Sequence, residues 1–182
     1  YNRALSIYKP ALEYSLEHYG ELHFNTYLVY NGLGLICNKI DQYSKALEYF
    51  NLALNIGRKI LGEDSADLAG IYCNIGSTYR YMSDYDKALE YMNMDISIQK
   101  RSTDINYLHL ATSYNNIGLI LSEKARYNEA LEYHQLALES QKTHYGDNLL
   151  KHADVAITYS NLGNVYYYLG DYKKSIDYEM QS

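Results

Sequence analysis

Proline, tryptophan and cysteine are scarce in this chain of 182 residues, which holds one proline, no tryptophan and two cysteines. A single proline, Pro10, leaves the backbone free to form long helices, because proline inside a helix removes a hydrogen bond and clashes with the preceding turn. Two cysteines, Cys37 and Cys73, are too few for a disulfide framework. We therefore expect a reduced, cytoplasmic setting.

The chain also lacks an excess of positive charge and lacks long apolar runs. The chain has 16 Lys and Arg against 22 Asp and Glu, a formal net charge of −6 and a sequence pI near 5.5. Because phosphate contacts need a basic face, this balance argues against nucleic-acid binding. No apolar run approaches the roughly 20 residues that cross a bilayer, so we expect no membrane partner. The first residue is Tyr1, so we expect a piece of a longer chain.

Tyrosine, by contrast, is abundant at 24 residues, and one phrase returns four times. The phrase reads YNGLGLI from Tyr30, YCNIGSTY from Tyr72, YNNIGLI from Tyr114 and YSNLGNVY from Tyr159. Its glycines are spaced by 42, 42 and 45 residues, and they are Gly34, Gly76, Gly118 and Gly163. A fixed period of this length indicates an array of structural repeats.

Two further columns of tyrosine follow each glycine, with a column of small residues between them. The first column is Tyr43, Tyr85, Tyr127 and Tyr172, and the second is Tyr49, Tyr91, Tyr133 and Tyr178. The small residues are Ala46, Ala88, Ala130 and Ser175. Because these columns and the phrase itself account for so many of the tyrosines, we interpret most of them as packing residues and not as a binding patch.

Apolar residues within a repeat recur three and four positions apart, which is helical spacing. Between the two halves of the second repeat lies SDYD, in which Asp84 is well placed to cap a helix. We predict first helices near 22–39, 66–82, 107–124 and 150–169. We predict second helices near 1–18, 43–60, 85–101, 127–143 and 172–182.

A single helix hairpin cannot bury its own apolar face, so copies stack and share a core. The sequence therefore predicts one all-α array over residues 1–182. Its units fall near 1–20 (partial), 22–62, 66–103, 107–146 and 150–182 (partial).

Two positions make specific packing predictions. Glycine inside every first helix costs about 1 kcal/mol relative to alanine, which predicts close approach of the partner helix with the small alanines opposite. Asp95 stands where Ala53 and Ala137 stand in the neighbouring repeats. Either the helix shifts or this carboxylate finds a donor, and we expect a partly exposed side chain.

These columns resemble the tetratricopeptide repeat. The family pattern is filled in the second repeat by Tyr72, Ile75, Gly76, Tyr79, Tyr85, Ala88 and Met92. The period of 42 and the Asn-Asn before Ile-Gly are similar to the kinesin light chain variety. The resemblance implies a right-handed α-solenoid of antiparallel helix hairpins, whose first helices line a concave side.

The resemblance also implies a peptide-binding groove, formed by residues just before and after the Leu-Gly pair. In this sequence those positions hold Asn31, Asn38, Asn74, Arg80, Asn115, Asn116, Asn161, Asn164 and Tyr167. Asparagine suits an extended peptide, because its amide both donates and accepts hydrogen bonds. The alternative is that asparagine merely tolerates a solvated helix face, although it is a mediocre helix former.

Catalytic and metal-binding patterns are missing from the sequence. The six histidines show no zinc-ligand spacing, and neither thiol has a neighbouring base. We therefore predict a non-catalytic scaffold without metal or cofactor, which binds a partner protein or peptide in the groove. The alternatives are a regulatory or sensing arm of a larger enzyme or signalling protein, and an architectural segment. Uncapped terminal repeats also leave end-to-end self-association open.

Overall fold

Helices and short turns build this protein, and the computed structural model describes residues 2–182, with side chains from residue 7 onward. This part of the chain contains no strand. Its α-helices are α1 (Asn2–Tyr19), α2 (Phe24–Lys39), α3 (Tyr43–Leu61), α4 (Ala69–Tyr81), α5 (Tyr85–Arg101), α6 (Tyr107–Glu123), α7 (Tyr127–Tyr145), α8 (Ala153–Tyr168) and α9 (Tyr172–Glu179). None of these helices combines the length and the apolarity that crossing a bilayer requires.

Helix boundaries follow the repeat closely. Four second helices begin where the sequence predicts, at Tyr43, Tyr85, Tyr127 and Tyr172. Two first helices begin three residues later than predicted, because short 3₁₀ helices precede them at Ala66–Leu68 and Gly146–Lys151. These 3₁₀ turns lie in the links between repeats, where a tighter turn reverses the chain before the next α-helix starts.

The turn between a first helix and the second helix that follows it is the same in all four hairpins from α2 to α9. Its middle residue has a positive φ, and the four residues are Asp41 (57°), Ser83 (59°), Ala125 (56°) and Gly170 (81°). A backbone N–H one residue further on closes the preceding helix, as from Asp84 to the Tyr79 carbonyl at 2.9 Å. The predicted cap is confirmed, since the Asp84 carboxylate accepts a hydrogen bond from the Lys87 backbone N–H at 3.4 Å.

Pairs of tyrosines form a repeated element of the core. Tyr72, Tyr114 and Tyr159 are buried, at 4%, 5% and 6% exposed. The ring pairs and their centroid distances are Tyr30–Tyr49 at 6.2 Å, Tyr72–Tyr91 at 6.3 Å, Tyr114–Tyr133 at 6.1 Å and Tyr159–Tyr178 at 5.9 Å. These separations fall in the range that aromatic pairs prefer. The predicted packing role is confirmed for the tyrosines that open the repeated phrase and for the column that begins with Tyr49.

The glycine column brings the two helices of a hairpin into close contact, as predicted, but the contacting side chain is a different one. The alanines of the small column are fully buried. The space that a methyl group on glycine would occupy is instead filled by the residue four positions beyond each alanine. These glycine-contact residues are Phe50 beneath Gly34, Met92 beneath Gly76, His134 beneath Gly118 and Glu179 beneath Gly163.

Asp95 departs from the expectation of a partly exposed side chain, which is wrong. Asp95 is 0% exposed, and its Oδ1 accepts a hydrogen bond from Nε2 of Gln99 at 2.8 Å. Gln99 lies one turn further along α5, on the same face of the helix as Asp95. A buried carboxylate is tolerated when it is hydrogen-bonded, and the glutamine supplies that bond.

Contacts within the chain group it into two compact units, one ending at Ser102 and the other comprising Thr103–Ser182. Unit 1 contains α1 to α5, and its buried centre includes Phe50, Leu68 and Ile75. Unit 2 contains α6 to α9, and its buried centre includes Val155 and Leu162. Continuity of the array over 1–182 stays a prediction.

Candidate functional site

Asparagines of successive first helices bond to each other in unit 1. The Asn74 Nδ2 on α4 donates to the Asn31 Oδ1 on α2 at 3.0 Å. The Asn38 Nδ2 donates to the Thr78 Oγ1 at 2.8 Å, and this hydroxyl donates in turn to the Asn74 backbone carbonyl at 2.7 Å. Amides that the sequence predicts to meet a peptide therefore also hold one repeat against the next.

In unit 2 the corresponding network runs through a histidine. The Asn115 Nδ2 on α6 donates to the Thr158 Oγ1 on α8 at 2.7 Å. The other end of the same amide, Oδ1, lies 2.8 Å from Nδ1 of His134 on α7. His134 is 0% exposed, and burial lowers its pKa from 6.5 to about 4, so the ring is neutral near pH 7.

The remaining predicted groove residues occupy several environments. Asn161 is half-buried, whereas Asn164 and Tyr167 are exposed on α8. Asn116 is half-buried on α6. Arg80 places its guanidinium 4.9 Å from the ring centroid of Tyr81, a cation–π contact.

A pocket, here called pocket A, opens between α2 and α4 in unit 1. It has a volume of about 370 Å³, and its lining residues are Leu35, Asn38, Lys39, Asp41, Tyr43, Asn74, Ser77 and Tyr81. One wall is a stacked tyrosine pair, with the centroids of Tyr43 and Tyr81 5.7 Å apart at 19°. Tyr81 is 50% exposed, which leaves part of its ring open to a ligand.

A second pocket, pocket B, opens between α6 and α8 in unit 2. Its volume is about 360 Å³, and its lining residues are Leu119, Ser122, Glu123, Tyr127, His134, Asn161, Asn164, Val165 and Tyr168. The rings of Tyr127 and Tyr168 stack 5.1 Å apart at 4°. Tyr168 is 62% exposed.

The two pockets are built from the same positions of the repeat. Counted from the glycines, seven lining positions coincide: Leu35 with Leu119, Asn38 with Ser122, Lys39 with Glu123, Tyr43 with Tyr127, Asn74 with Asn161, Ser77 with Asn164, and Tyr81 with Tyr168. The aromatic wall and one asparagine are identical in kind. The charge differs, because a lysine in pocket A is replaced by a glutamate in pocket B.

The pockets gather only some of the predicted groove residues. Asn38 and Asn74 line pocket A, and Asn161 and Asn164 line pocket B. Asn31 and Asn115 are hydrogen-bonded across repeats without lining either pocket. Asn116, Arg80 and Tyr167 are likewise not among the lining residues.

The lining residues outside the predicted groove set include Tyr43, Tyr127 and His134. Tyr43 and Tyr127 belong to a column that reads as packing, yet each forms half of an aromatic wall. His134 shares a column with Phe50 and Met92, so its position in the repeat was available as a signal of burial. Within that column, His134 is a polar residue at a position that is apolar in the two preceding repeats.

The site is chemically suited to recognition. Tyrosine rings offer large amphipathic contact area, and amides donate and accept hydrogen bonds. The thiols lie elsewhere, since Cys37 and Cys73 are 1% and 8% exposed and neither lines a pocket described above. Burial raises the pKa of the Cys37 thiol, which disfavours the thiolate that a nucleophile requires.

The family follows from comparison with known sequences. The profile of the tetratricopeptide repeat matches the chain three times in overlapping stretches, over residues 25–101, 67–143 and 109–182. The chain belongs to the tetratricopeptide repeat family. No curated protein matches it.

Solved structures show that this tetratricopeptide repeat chain has the fold of the family. It is similar to BtubC from P. vanneervenii (TM-score 0.82, 24% identity, covering 97% of this chain and 69% of that one). It is also similar to a putative kinesin light chain from Podosopora anserina (TM-score 0.76, 13% identity, covering 99% of this chain and 84% of that one). A further similar structure is the apo form of RapI (TM-score 0.80, 24% identity, covering 96% of this chain and 60% of that one). At these identities the likeness is one of fold. The predicted family and the all-α hairpin architecture are confirmed.

Tetratricopeptide repeats generally mediate interactions between proteins, and the fold is typically a non-catalytic scaffold. Pockets A and B are two openings on the described part of the chain with room for a side chain. Both lie between successive first helices, the helices that the sequence predicts to face a partner.

Proposed function

We propose that this chain is a non-catalytic interaction scaffold that binds a partner peptide along its first helices, with peptide side chains entering pockets A and B. The observation that carries the proposal is the recurrence of one pocket at equivalent repeat positions in both units. Each copy of the pocket combines a partly exposed tyrosine pair with an asparagine, and these groups can make both apolar and hydrogen-bonding contacts with a peptide.

The pocket dimensions and walls support this use. Volumes of about 360 and 370 Å³ lie at the lower end of the range for ligand sites, so each pocket suits a side chain rather than a large molecule. Each stacked pair leaves an exposed ring, Tyr81 at 50% and Tyr168 at 62%. Tyrosine is one of the residue types enriched among the side chains that dominate binding energy at interfaces.

Polar groups at the pockets suit an extended peptide. Asn74 and Asn161 occupy the same repeat position, and each lines a pocket. Pocket A adds Lys39, and pocket B adds the exposed carboxylate of Glu123. We therefore expect the two pockets to accept different side chains, with an acidic residue favoured near Lys39 and disfavoured near Glu123.

A selection from a random peptide library displayed on phage tests the proposal. Selected peptides are synthesised, and their affinities for the wild-type chain and for the Tyr81→Ala/Tyr168→Ala double variant are measured by calorimetry. Loss of two aromatic anchors is expected to weaken binding at least tenfold. Far-ultraviolet circular dichroism checks that helicity is unchanged.

Tyr14→Ala is the matched control, because Tyr14 on α1 is 54% exposed and lines neither pocket. This variant is expected to bind the selected peptides as the wild type does. Equal affinity of the double variant and the wild type would contradict the proposal, as would a selection that yields no binding peptide.

Self-association through the ends of the array stays a prediction. Ile176 on α9 is 61% exposed, and Met180, which follows this helix, is 82% exposed. Sedimentation analysis at increasing protein concentration tests the prediction, and a mass that stays monomeric throughout would show it to be wrong.

A further inference from the structure

The two units differ in one buried side chain that changes the hydrogen bonding of their asparagines. In unit 1 the glycine-contact residue next to this network is Phe50, which has no polar atom, so Asn31 Oδ1 accepts from Asn74. In unit 2 the same position holds His134, and its Nδ1 bonds to Asn115 Oδ1. Asn115 is the repeat equivalent of Asn31.

The direction of the hydrogen bonds in unit 2 follows from the network itself. Thr158 Oγ1 donates to the Asp154 backbone carbonyl at 3.1 Å, so it accepts from the Asn115 amide nitrogen at 2.7 Å. The Asn115 oxygen therefore faces His134 and accepts from Nδ1. This assigns the proton of the neutral ring to Nδ1 and leaves Nε2 as a bare acceptor.

The consequence is a pair of unmet polar groups at pocket B. Asn161 is the repeat equivalent of Asn74, but Asn115 Oδ1, which corresponds to the Asn31 oxygen, bonds to His134 instead. Asn161 Nδ2 is buried, and no group that the structure describes hydrogen-bonds to it. His134 Nε2, on a side chain that is 0% exposed, also has no hydrogen-bond partner among the groups that the structure describes. Both residues line pocket B.

Buried polar atoms without a partner are costly, so a group in pocket B that hydrogen-bonds to both atoms would be stabilised there. We infer that pocket B, resting on the peptide-binding function proposed above, receives the side-chain carboxamide of an asparagine or glutamine in the partner. The carboxamide N–H donates to His134 Nε2, and its oxygen accepts from Asn161 Nδ2.

Other side-chain chemistries fit less well. A carboxylate has no proton for His134 Nε2 and meets the Glu123 carboxylate among the lining residues. An ammonium group donates to His134 but offers nothing to the Asn161 N–H. Main-chain amides are held at the surface, whereas His134 lies on the second helix of the hairpin and is fully buried, so only a side chain reaches it.

A small-molecule titration tests the site without a partner. Propionamide, propionate, propylamine and 1-propanol are added to nitrogen-15-labelled chain, and the His134 Nε2 resonance is followed by long-range correlation spectra at pH 7. Propionamide alone is expected to move the resonance in a saturable way, and Asn161→Ala should abolish the shift. No shift with propionamide, as for a pocket that holds only water, overturns the inference, and so does an equal shift with 1-propanol.

Peptides from the phage selection separate this inference from the function on which it rests. Replacing the entering Asn or Gln by Leu is expected to weaken binding to the wild type about tenfold, for two lost hydrogen bonds. The same replacement should leave the affinity of His134→Phe unchanged, since Phe50 fills the equivalent slot in unit 1.

Two outcomes tell the failures apart. Peptides that bind through Tyr168 but show no preference for Asn or Gln, with equal affinity for wild type and His134→Phe, uphold the scaffold and overturn the carboxamide site. A selection without any binder overturns the scaffold, and the propionamide titration then decides the carboxamide site alone. Should His134→Phe fail to fold, Asn161→Ala carries the same comparison.

Discussion

Acidification is expected to destabilise unit 2 through His134, and the size of the effect follows from burial. The ring is 0% exposed and neutral, with a folded pKa of about 4 against 6.5 for the ordinary residue. As pH falls through 6.5, His134 becomes protonated in the unfolded chain but stays neutral in the folded chain. Stability that is fully present above pH 6.5 is therefore lost on the way to pH 4, and the loss levels off below pH 4.

The magnitude follows from the gap between the two pKa values. A gap of this size is worth about 3 kcal/mol in full, and about 2 kcal/mol between pH 7 and pH 5. Exposed carboxylates contribute in a more acidic range, since hydrogen bonds from Lys87 and Arg126 lower the pKa values of Asp84 and Glu129 below their ordinary range. Their contribution is common to wild type and variant.

Urea unfolding followed by circular dichroism measures the effect, with wild type and His134→Phe compared at pH 7, 6 and 5. The wild type is expected to lose about 2 kcal/mol more than the variant between pH 7 and pH 5. Phenylalanine is the matched replacement, because Phe50 fills the same slot beneath Gly34. Parallel pH profiles for the two proteins would refute the reasoning, because they would mean that His134 titrates normally in the fold.

Two further predictions concern the packing of the hairpins. Gly118→Ala places a methyl group 2.5 Å from the His134 Cε1 and is expected to cost roughly 1–3 kcal/mol, whereas Gly70→Ala meets nothing within 4 Å and should stabilise by up to about 1 kcal/mol. Comparable urea midpoints for the two variants would contradict the close-approach explanation. Tyr27→Phe removes the hydroxyl that donates to the Asp67 backbone carbonyl at 3.0 Å and is expected to cost about 1 kcal/mol, and an unchanged free energy of unfolding would show that water replaces this bond.

Most of the fold was predictable from the sequence, because the pattern of each helix occurs several times along the chain. The second helices begin at the column tyrosines Tyr43, Tyr85, Tyr127 and Tyr172 as predicted. The starts of α4 and α8 were less predictable, since the link residues before Ala69 and Ala153 fold as 3₁₀ turns and continue a helical pattern. Periodicity alone does not distinguish a 3₁₀ turn from the first turn of an α-helix.

Single departures from the repeat were the hardest features to predict. Asp95 reads as a carboxylate in an alanine column, which suggests exposure, but Gln99 one turn later supplies a buried donor. The relevant signal was a pair of residues four apart and not the column itself. His134 was similarly overlooked, because its contacts with Asn115 and Gly118 come from a different helix of the hairpin.

Asparagine recurs in the first helices for a structural reason that does not depend on a ligand. Repeats must be held against each other, and the pairs Asn31–Asn74 and Asn115–Thr158 do this in the two units, with Asn31 and Asn115 at equivalent positions. Recurrence of an amide therefore follows from stacking and does not by itself mark a binding residue. Where one member of the column changes, as from Phe50 to His134, the network is redirected and Asn161 is released toward a pocket. In an array of this kind, the residue that breaks the repeat is a better guide to recognition than the residues that keep it.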